Sequence, residues 1–328
     1  MKKFHLVGFW RMNAGPQNVN RALIENSDGS MDYAKSENKI LRKIENIFKC
    51  IVYRTIVFSA YVPKIEFFIA RLLRKRIIIL AHGCLKMENE INKFGLSPER
   101  VSSEQKQFDA ADLIVAVSKI HACRLCEVYP EIKNKIKYVN NGIDIVANFI
   151  EHESNQANDT YVIAVSGGNR YVKRNKSVCE AVQKLIHGGL NIHLESYGRY
   201  YDNGEDIESF PFVERMGHMN EDEYYNCLKN VDLYVVNSEA ESFGLVVADA
   251  MNCGCSLLIS KNVGAIDIFS HLEDTDVIQD ICDIDEISEK IRNLLLNGNA
   301  RRLFYSIDRD ACSKKTAFQN LKSICTNE

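Results

Sequence analysis

Short apolar runs alternate along this chain with longer stretches whose apolar residues recur at helical spacing. Phe4 to Phe9, Ile77 to Ala81, Asp112 to Ser118, Tyr161 to Ser166, Val231 to Val236 and Ser256 to Ser260 are rich in Ile, Val and Leu, and too short for helices. They read as buried strands, and stretches such as Cys179-Glu-Ala-Val-Gln-Lys-Leu185 between them read as helices. Strand and helix alternating in this way predict an α/β fold with parallel sheets. At 328 residues the chain suits two doubly wound domains of about 150 residues each. The polar, charged segment Glu151 to Thr160 is the natural linker, giving domains over 1–150 and 151–300. The sequence shows no internal repeats and no low-complexity runs.

The most informative stretch runs from Asn237 to Ser260. A strand delivers the chain to a polar loop holding Glu241, two residues before Phe243-Gly244. A helix is expected from Leu245 to Cys253, stopped by Gly254. Backbone N–H groups of such a loop point above the carboxyl edge of a parallel sheet, where a phosphate is welcome. Asp249 lies eight residues after Glu241, about two turns on and on nearly the same helix face. Two carboxylates flanking an anion site fit a nucleotide-sugar, one acid beside the sugar and the other on the ribose hydroxyls. The plainer reading is one helix-start charge and one exposed helix acid. A second candidate anion site follows the strand Tyr161 to Ser166, at Gly167-Gly168-Asn169-Arg170-Tyr171-Val172-Lys173. Cations at a helix start oppose the helix dipole, and a bound anion resolves that conflict.

Glu-Ser-Phe-Gly-Leu-Val-Val-Ala-Asp-Ala-Met-Asn-Cys-Gly, from Glu241, resembles the E-x7-E signature of the retaining GT-B glycosyltransferases of family 4. Ser242 stands where the family usually has Gly, and Asp249 where it has a second Glu. The resemblance continues through the Gly-Arg loop, where Arg170 and Lys173 take the places that grip the donor diphosphate and Arg174 and Lys176 are rivals. It includes His82-Gly83 at a strand end, where the family's His lines the donor sugar and reaction centre. Asn140-Asn141-Gly142-Ile143-Asp144 is similar to the element that closes the first domain, and Gly15-Pro16-Gln17-Asn18-Val19-Asn20-Arg21 to the Gly-rich loop facing donor and acceptor.

What the resemblance implies is two Rossmann-like domains facing each other across a cleft, the first on the acceptor side, with a helix near 301–328 packing back on it. It further implies retaining transfer of a hexosyl or N-acetylhexosaminyl group from a nucleotide diphosphate sugar, UDP favoured over GDP, to a glycan or lipid-linked oligosaccharide in bacterial surface polysaccharide synthesis. Glu241, His82, Arg170 and Lys173 are the catalytic candidates. Gly15, Ser242, Phe243, Gly244, Leu245 and Asp249 join Arg170 and Lys173 in holding the donor. No cofactor is expected. A nucleotide-sugar epimerase on the same scaffold and a non-catalytic partner subunit are the alternatives.

Charge and cysteine usage narrow the picture. Formal net charge is −3, yet between Lys35 and Arg76 eleven Lys and Arg stand against three Glu. This segment reads either as an amphipathic face against anionic lipid or as a helix pair covering a sheet, its charged side in water. No aromatic-basic stacking module points to nucleic acid. Eleven cysteines include one C-x-x-C, Cys123 and Cys126, with no second pair to complete a tetrahedral metal site. Met1-Lys-Lys-Phe runs straight into the first strand, so a cytoplasmic protein with reduced thiols is expected, at the inner face of the plasma membrane if the lipid reading holds. Asp283-Ile284-Asp285 has the form of a metal-binding D-x-D but precedes a helical run, and reads as a helix cap.

Overall fold

The computed structural model describes residues 3–11, 15–60, 62–151 and 160–326. The chain divides into two units, Met1–Asp144 with Asp310–Glu328, and Ile145–Arg309. Most of the expected linker lies outside the described residues. Each apolar run named above contains a strand.

In chain order the first unit holds β1 (Phe4–Val7), α1 (Gly15–Glu25), β2 (Met31–Tyr33), α2 (Lys39–Val52), β3 (Thr55–Ser59), α3 (Lys64–Leu72), β4 (Arg76–Ala81), α4 (Leu85–Asn92), α5 (Pro98–Ala110), β5 (Leu113–Ala116), α6 (Lys119–Val128) and β6 (Ile136–Tyr138). The second holds β7 (Tyr161–Ser166), α7 (Asn175–His187), β8 (Ile192–Tyr197), β9 (Val213–Gly217), α8 (Glu221–Leu228), β10 (Leu233–Val236), α9 (Val246–Asn252), β11 (Ser256–Ser260), β12 (Val277–Ile278), α10 (Ile284–Asn297) and α11 (Ala300–Ser306). Then α12 (Arg309–Cys312) and α13 (Lys314–Thr326) end the chain.

All strands are parallel, in the orders β2-β1-β3-β4-β5-β6 and β12-β11-β10-β7-β8-β9. The strand order reverses direction between β1 and β3 in one sheet and between β7 and β10 in the other. Adjacent loops part at such a point, leaving a crevice at the carboxyl ends where open α/β sheets take ligands. Both cores are built from the inward side chains of strand and helix. Ile56, Phe58, Ile77, Ile79, Ile114 and Leu125 fill the first, and Ile163, Val165, Val182, Leu194, Val235 and Leu258 the second.

The C-terminal segment completes the first unit. There Arg76 donates from Nη1 to the Cys325 carbonyl and from Nη2 to that of Ile324, both 3.1 Å, so a cation serves the orphan carbonyls at the end of α13. The start of α13 crosses Gly142 so closely that a Cβ there would collide with the Lys314 backbone, which accounts for the glycine in Asn-Gly-Ile-Asp. Residues 301–309 stay in the second unit, where α11 packs on α9 and β11.

His5 on β1 is fully buried, with Nδ1 3.1 Å from the Asp32 carbonyl and Nε2 3.0 Å from Asn46 Oδ1. Burial lowers its pKa to about 4. Above pH 6.5 folded and unfolded chains both hold it neutral. Between about 6.5 and 4 only the unfolded chain takes up the proton, so stability falls as pH falls through that window, by up to about 3 kcal/mol for this group. Denaturant unfolding at pH 7 and pH 4.5 checks this: His5→Gln should flatten the dependence, and an equal slope in both proteins would refute the assignment.

Candidate active site

The second unit builds its site where β7 and β10 diverge. After Ser166 the chain turns through two left-handed glycines, Gly167 (φ +87°) and Gly168 (φ +60°), conformations that cost a side chain energy. A Cβ on Gly168 would strike the Arg199 carbonyl, and one on Gly167 would lie 2.7 Å from the stem of Lys173. The bare loop thus lets Lys173 fold over it. Asn175, buried at the start of α7, donates to the Ser166 carbonyl at 3.1 Å and the Gly168 carbonyl at 2.7 Å, pinning the loop to its helix.

Lys173 is only 8 % exposed, and its ammonium pairs with the Glu241 carboxylate. Residues 68 apart in sequence therefore meet at the switch point. Glu241 is held by its backbone, its N–H donating to the Asn262 carbonyl at 3.3 Å and its carbonyl accepting from Gly264 N–H at 3.1 Å. Gly244 (φ +97°) closes the turn, where a Cβ would sit 3.1 Å from Val263 and 3.2 Å from the Glu241 stem. Phe243 is buried beneath, while Ser242 and Leu245 are half-buried. Beyond them α9 runs to Asn252, with Cys253 as its cap, and the left-handed Gly254 (φ +78°) follows as the stop expected from sequence.

The cations of this loop separate by environment. Arg174, itself left-handed at φ +52°, donates from Nε to Glu239 at 2.8 Å and also pairs through Nη2, so it is engaged within the protein. Lys176 is exposed, its backbone N–H held by Glu205 at 3.2 Å. Arg170 is half-buried, with Nε 3.4 Å from the Gly167 carbonyl. Lys173 and Arg170 are thus the cations placed at the glycine turn.

Asp249 lies on α9, half-buried, and accepts a 2.7 Å hydrogen bond from the Tyr225 hydroxyl of α8. Burial and the Asp249 charge both raise the Tyr225 phenol's pKa, which keeps it a donor. Tyr225, Glu239 and Asn175 escape the sequence reading. Asn175, directly after the glycine loop, is the one whose position carried a usable signal.

In the first unit, His82 ends β4 at the corresponding crevice. Asn20 of α1 donates from Nδ2 to the Phe9 carbonyl at 2.9 Å, which leaves its Oδ1 to accept. Ser59 Oγ gives its only proton to that oxygen at 2.6 Å, so His82 Nε2, 2.9 Å away, donates to Ser59. Burial lowers the imidazole's pKa to about 4, so it is neutral at pH 7 with its Nδ1 lone pair available. Gly8 admits this cluster, since a Cβ there would lie 2.6 Å from Asn20 Nδ2. Gly15 opens α1, with empty space where its side chain would be.

Other sequence candidates resolve structurally. Asp283 caps α10, its Oδ1 accepting from Asp285 N–H at 2.9 Å and Glu286 N–H at 3.0 Å. The cysteines are free thiols; seven are buried, and burial pushes Cys50, Cys84, Cys179 and Cys325 up to about 12, which leaves them inert.

Residues 148–310, nearly the whole second unit, match the family described as glycosyl transferases group 1. No curated protein matches the chain by sequence. Among solved structures the chain is similar to Anabaena HepE in complex with UDP and glucose, at TM-score 0.70 and 12 % identity over 100 % of both chains. It is similar also to WaaG, a glycosyltransferase involved in lipopolysaccharide biosynthesis, at TM-score 0.62 and 13 % identity over 99 % of this chain and 100 % of that one. Sucrose-phosphate synthase from Thermosynechococcus elongatus gives TM-score 0.69 and 13 % identity, covering 99 % and 98 %. The fold is GT-B, two Rossmann-like units each with a six-stranded parallel sheet. The fold of the chain is thus that of the GT-B glycosyltransferases, and its second unit matches a glycosyltransferase family by sequence.

Proposed function

We propose that the protein transfers a sugar, with retention of anomeric configuration, from a nucleotide diphosphate sugar to a hydroxyl of a glycan or lipid-linked oligosaccharide, at the cytoplasmic face of a plasma membrane in surface polysaccharide synthesis. The observation that carries this is the Lys173–Glu241 pair at the β7/β10 switch point, beside a glycine turn whose missing side chain lets Lys173 lie over it. Lys173 and Arg170 take the diphosphate, and Asp249 takes the ribose. Glu241 stays against the sugar as positive charge develops at its anomeric carbon. Negative charge building on the departing phosphate meets fixed cations, so the step needs no divalent ion from elsewhere. A phosphate oxygen takes the acceptor proton on the face the donor leaves, which gives retention. That HepE was solved with UDP-glucose favours a UDP-sugar, hexosyl or N-acetylhexosaminyl.

Thermal shift against UDP-, GDP- and dTDP-sugars tests the donor. A ligand at a hundred times its dissociation constant stabilises by about 2.7 kcal/mol, and a UDP-sugar should do so most. Transfer should persist in excess chelator. No shift with any nucleotide-sugar, or a strict divalent requirement, would overturn the reading.

A further inference from the structure

Helix α2 is packed with its polar side inward. Lys49 donates to Asp32 Oδ1 at 2.9 Å and to the Tyr33 carbonyl at 2.6 Å. Asn46 meets the buried His5, and Glu45 Oε2 accepts from the backbone N–H groups of Lys35 and Ser36 at 2.9 and 3.1 Å. The opposite side carries Ile40, Leu41, Ile44, Phe48, Ile51 and Val52, all exposed, with Ile40 at 70 % and Phe48 at 63 %. Neighbouring α3 adds exposed Ile65, Phe68 (64 %) and Leu72 (68 %) at helical spacing. Single exposed apolar residues need no explanation, but a contiguous face of two helices does. The fold has spent hydrogen bonds to hold the apolar stripe outward.

Cations intersperse this face. Lys39, Lys43, Lys64, Arg71 and Arg74 are all exposed, on or beside the same two helices. A second copy docking through a twofold axis would set these like charges against each other. An anionic bilayer meets both features, taking the apolar side chains below its headgroups and the cations among them. At 14 residues, or about 21 Å, α2 is too short to span, and no described helix is long and apolar enough to cross a membrane. The helices would lie in the interface.

We infer that the exposed α2–α3 face is a docking surface for an anionic lipid bilayer. The inference rests on these two helices alone and stands or falls separately from sugar transfer.

The full chain should sediment with vesicles of phosphatidylcholine mixed with phosphatidylglycerol at least about tenfold more strongly than with phosphatidylcholine alone, and raised salt should release it. Phe48→Ser with Phe68→Ser should weaken that partition at least about tenfold while circular dichroism and melting temperature stay unchanged, since both side chains are exposed. Lys39→Glu with Lys43→Glu should abolish the preference for anionic vesicles. Absence of vesicle binding, equal binding by the phenylalanine double variant, or a dimer in light scattering that the same double variant dissolves while vesicles are ignored, would each overturn the proposal.

Discussion

Glu241→Gln should lower sugar transfer at least about a hundredfold, the scale on which one positioned electrostatic group matters, while leaving nucleotide diphosphate affinity unchanged or slightly tighter. The asymmetry follows from the ion pair. In the free protein the Glu241 carboxylate holds the Lys173 ammonium, and both are largely screened from water. Gln keeps the shape and a weak acceptor but removes the charge, so the cation becomes more available to phosphate. What disappears is the negative group proposed to face the sugar. Lys173→Ala should weaken both affinity and turnover, because it removes the proposed partner of the diphosphate and leaves the Glu241 charge uncompensated.

Asp249→Ala should separate from both, weakening the nucleotide itself about tenfold or more through a lost charged hydrogen bond of roughly 1.5–3 kcal/mol. Since Asp249 also accepts from Tyr225, the control is Tyr225→Phe, which should leave nucleotide affinity close to unchanged. Isothermal titration with UDP alongside single-turnover transfer distinguishes these cases. Unmodified transfer by Glu241→Gln would end the catalytic assignment, and normal UDP binding by Asp249→Ala would end the ribose assignment.

Gly168→Ala should destabilise the second unit by about 3 kcal/mol or more, lowering the melting temperature by roughly 6–12 °C. Two costs combine. The residue sits at φ +60°, where an L side chain is strained, and its Cβ would meet the Arg199 backbone carbonyl, which cannot swing aside as a side chain could. Gly15→Ala is the contrast, because nothing lies within 4 Å of the added methyl, and its effect on stability should stay within about 0.5 kcal/mol. Calorimetry of the two variants checks the pair, and an unshifted transition for Gly168→Ala would show that the loop yields where the geometry says it cannot.

The runs of Ile, Val and Leu were enough to place β1, β4, β5, β7, β10 and β11, because a strand buried on both faces is apolar throughout and needs no partner to be recognised, but β2, β3, β6, β8, β9 and β12 were not foreseen. Glycines at Gly167, Gly168, Gly244 and Gly254 were legible too, since left-handed turns demand them locally. On this basis the two α/β units and the glycine-lined loops after Ser166 and Asn237 follow from sequence.

Side-chain pairings over long separations did not follow. Lys173 and Arg174 are adjacent in sequence, yet one turns to Glu241 and the other to Glu239, a choice made by the left-handed backbone at Arg174. Ser59 gains meaning only when β3 sets it between Asn20 and His82, and Tyr225 only when α8 brings its hydroxyl to Asp249. The segment from Lys35 to Arg76 was ambiguous for the same reason. Spacing shows that α2 has an apolar side and a polar side, but not which one faces the protein. That was decided by polar groups of β1 and β2, the buried His5 and the half-buried Asp32, which required hydrogen-bond partners and drew the polar side inward.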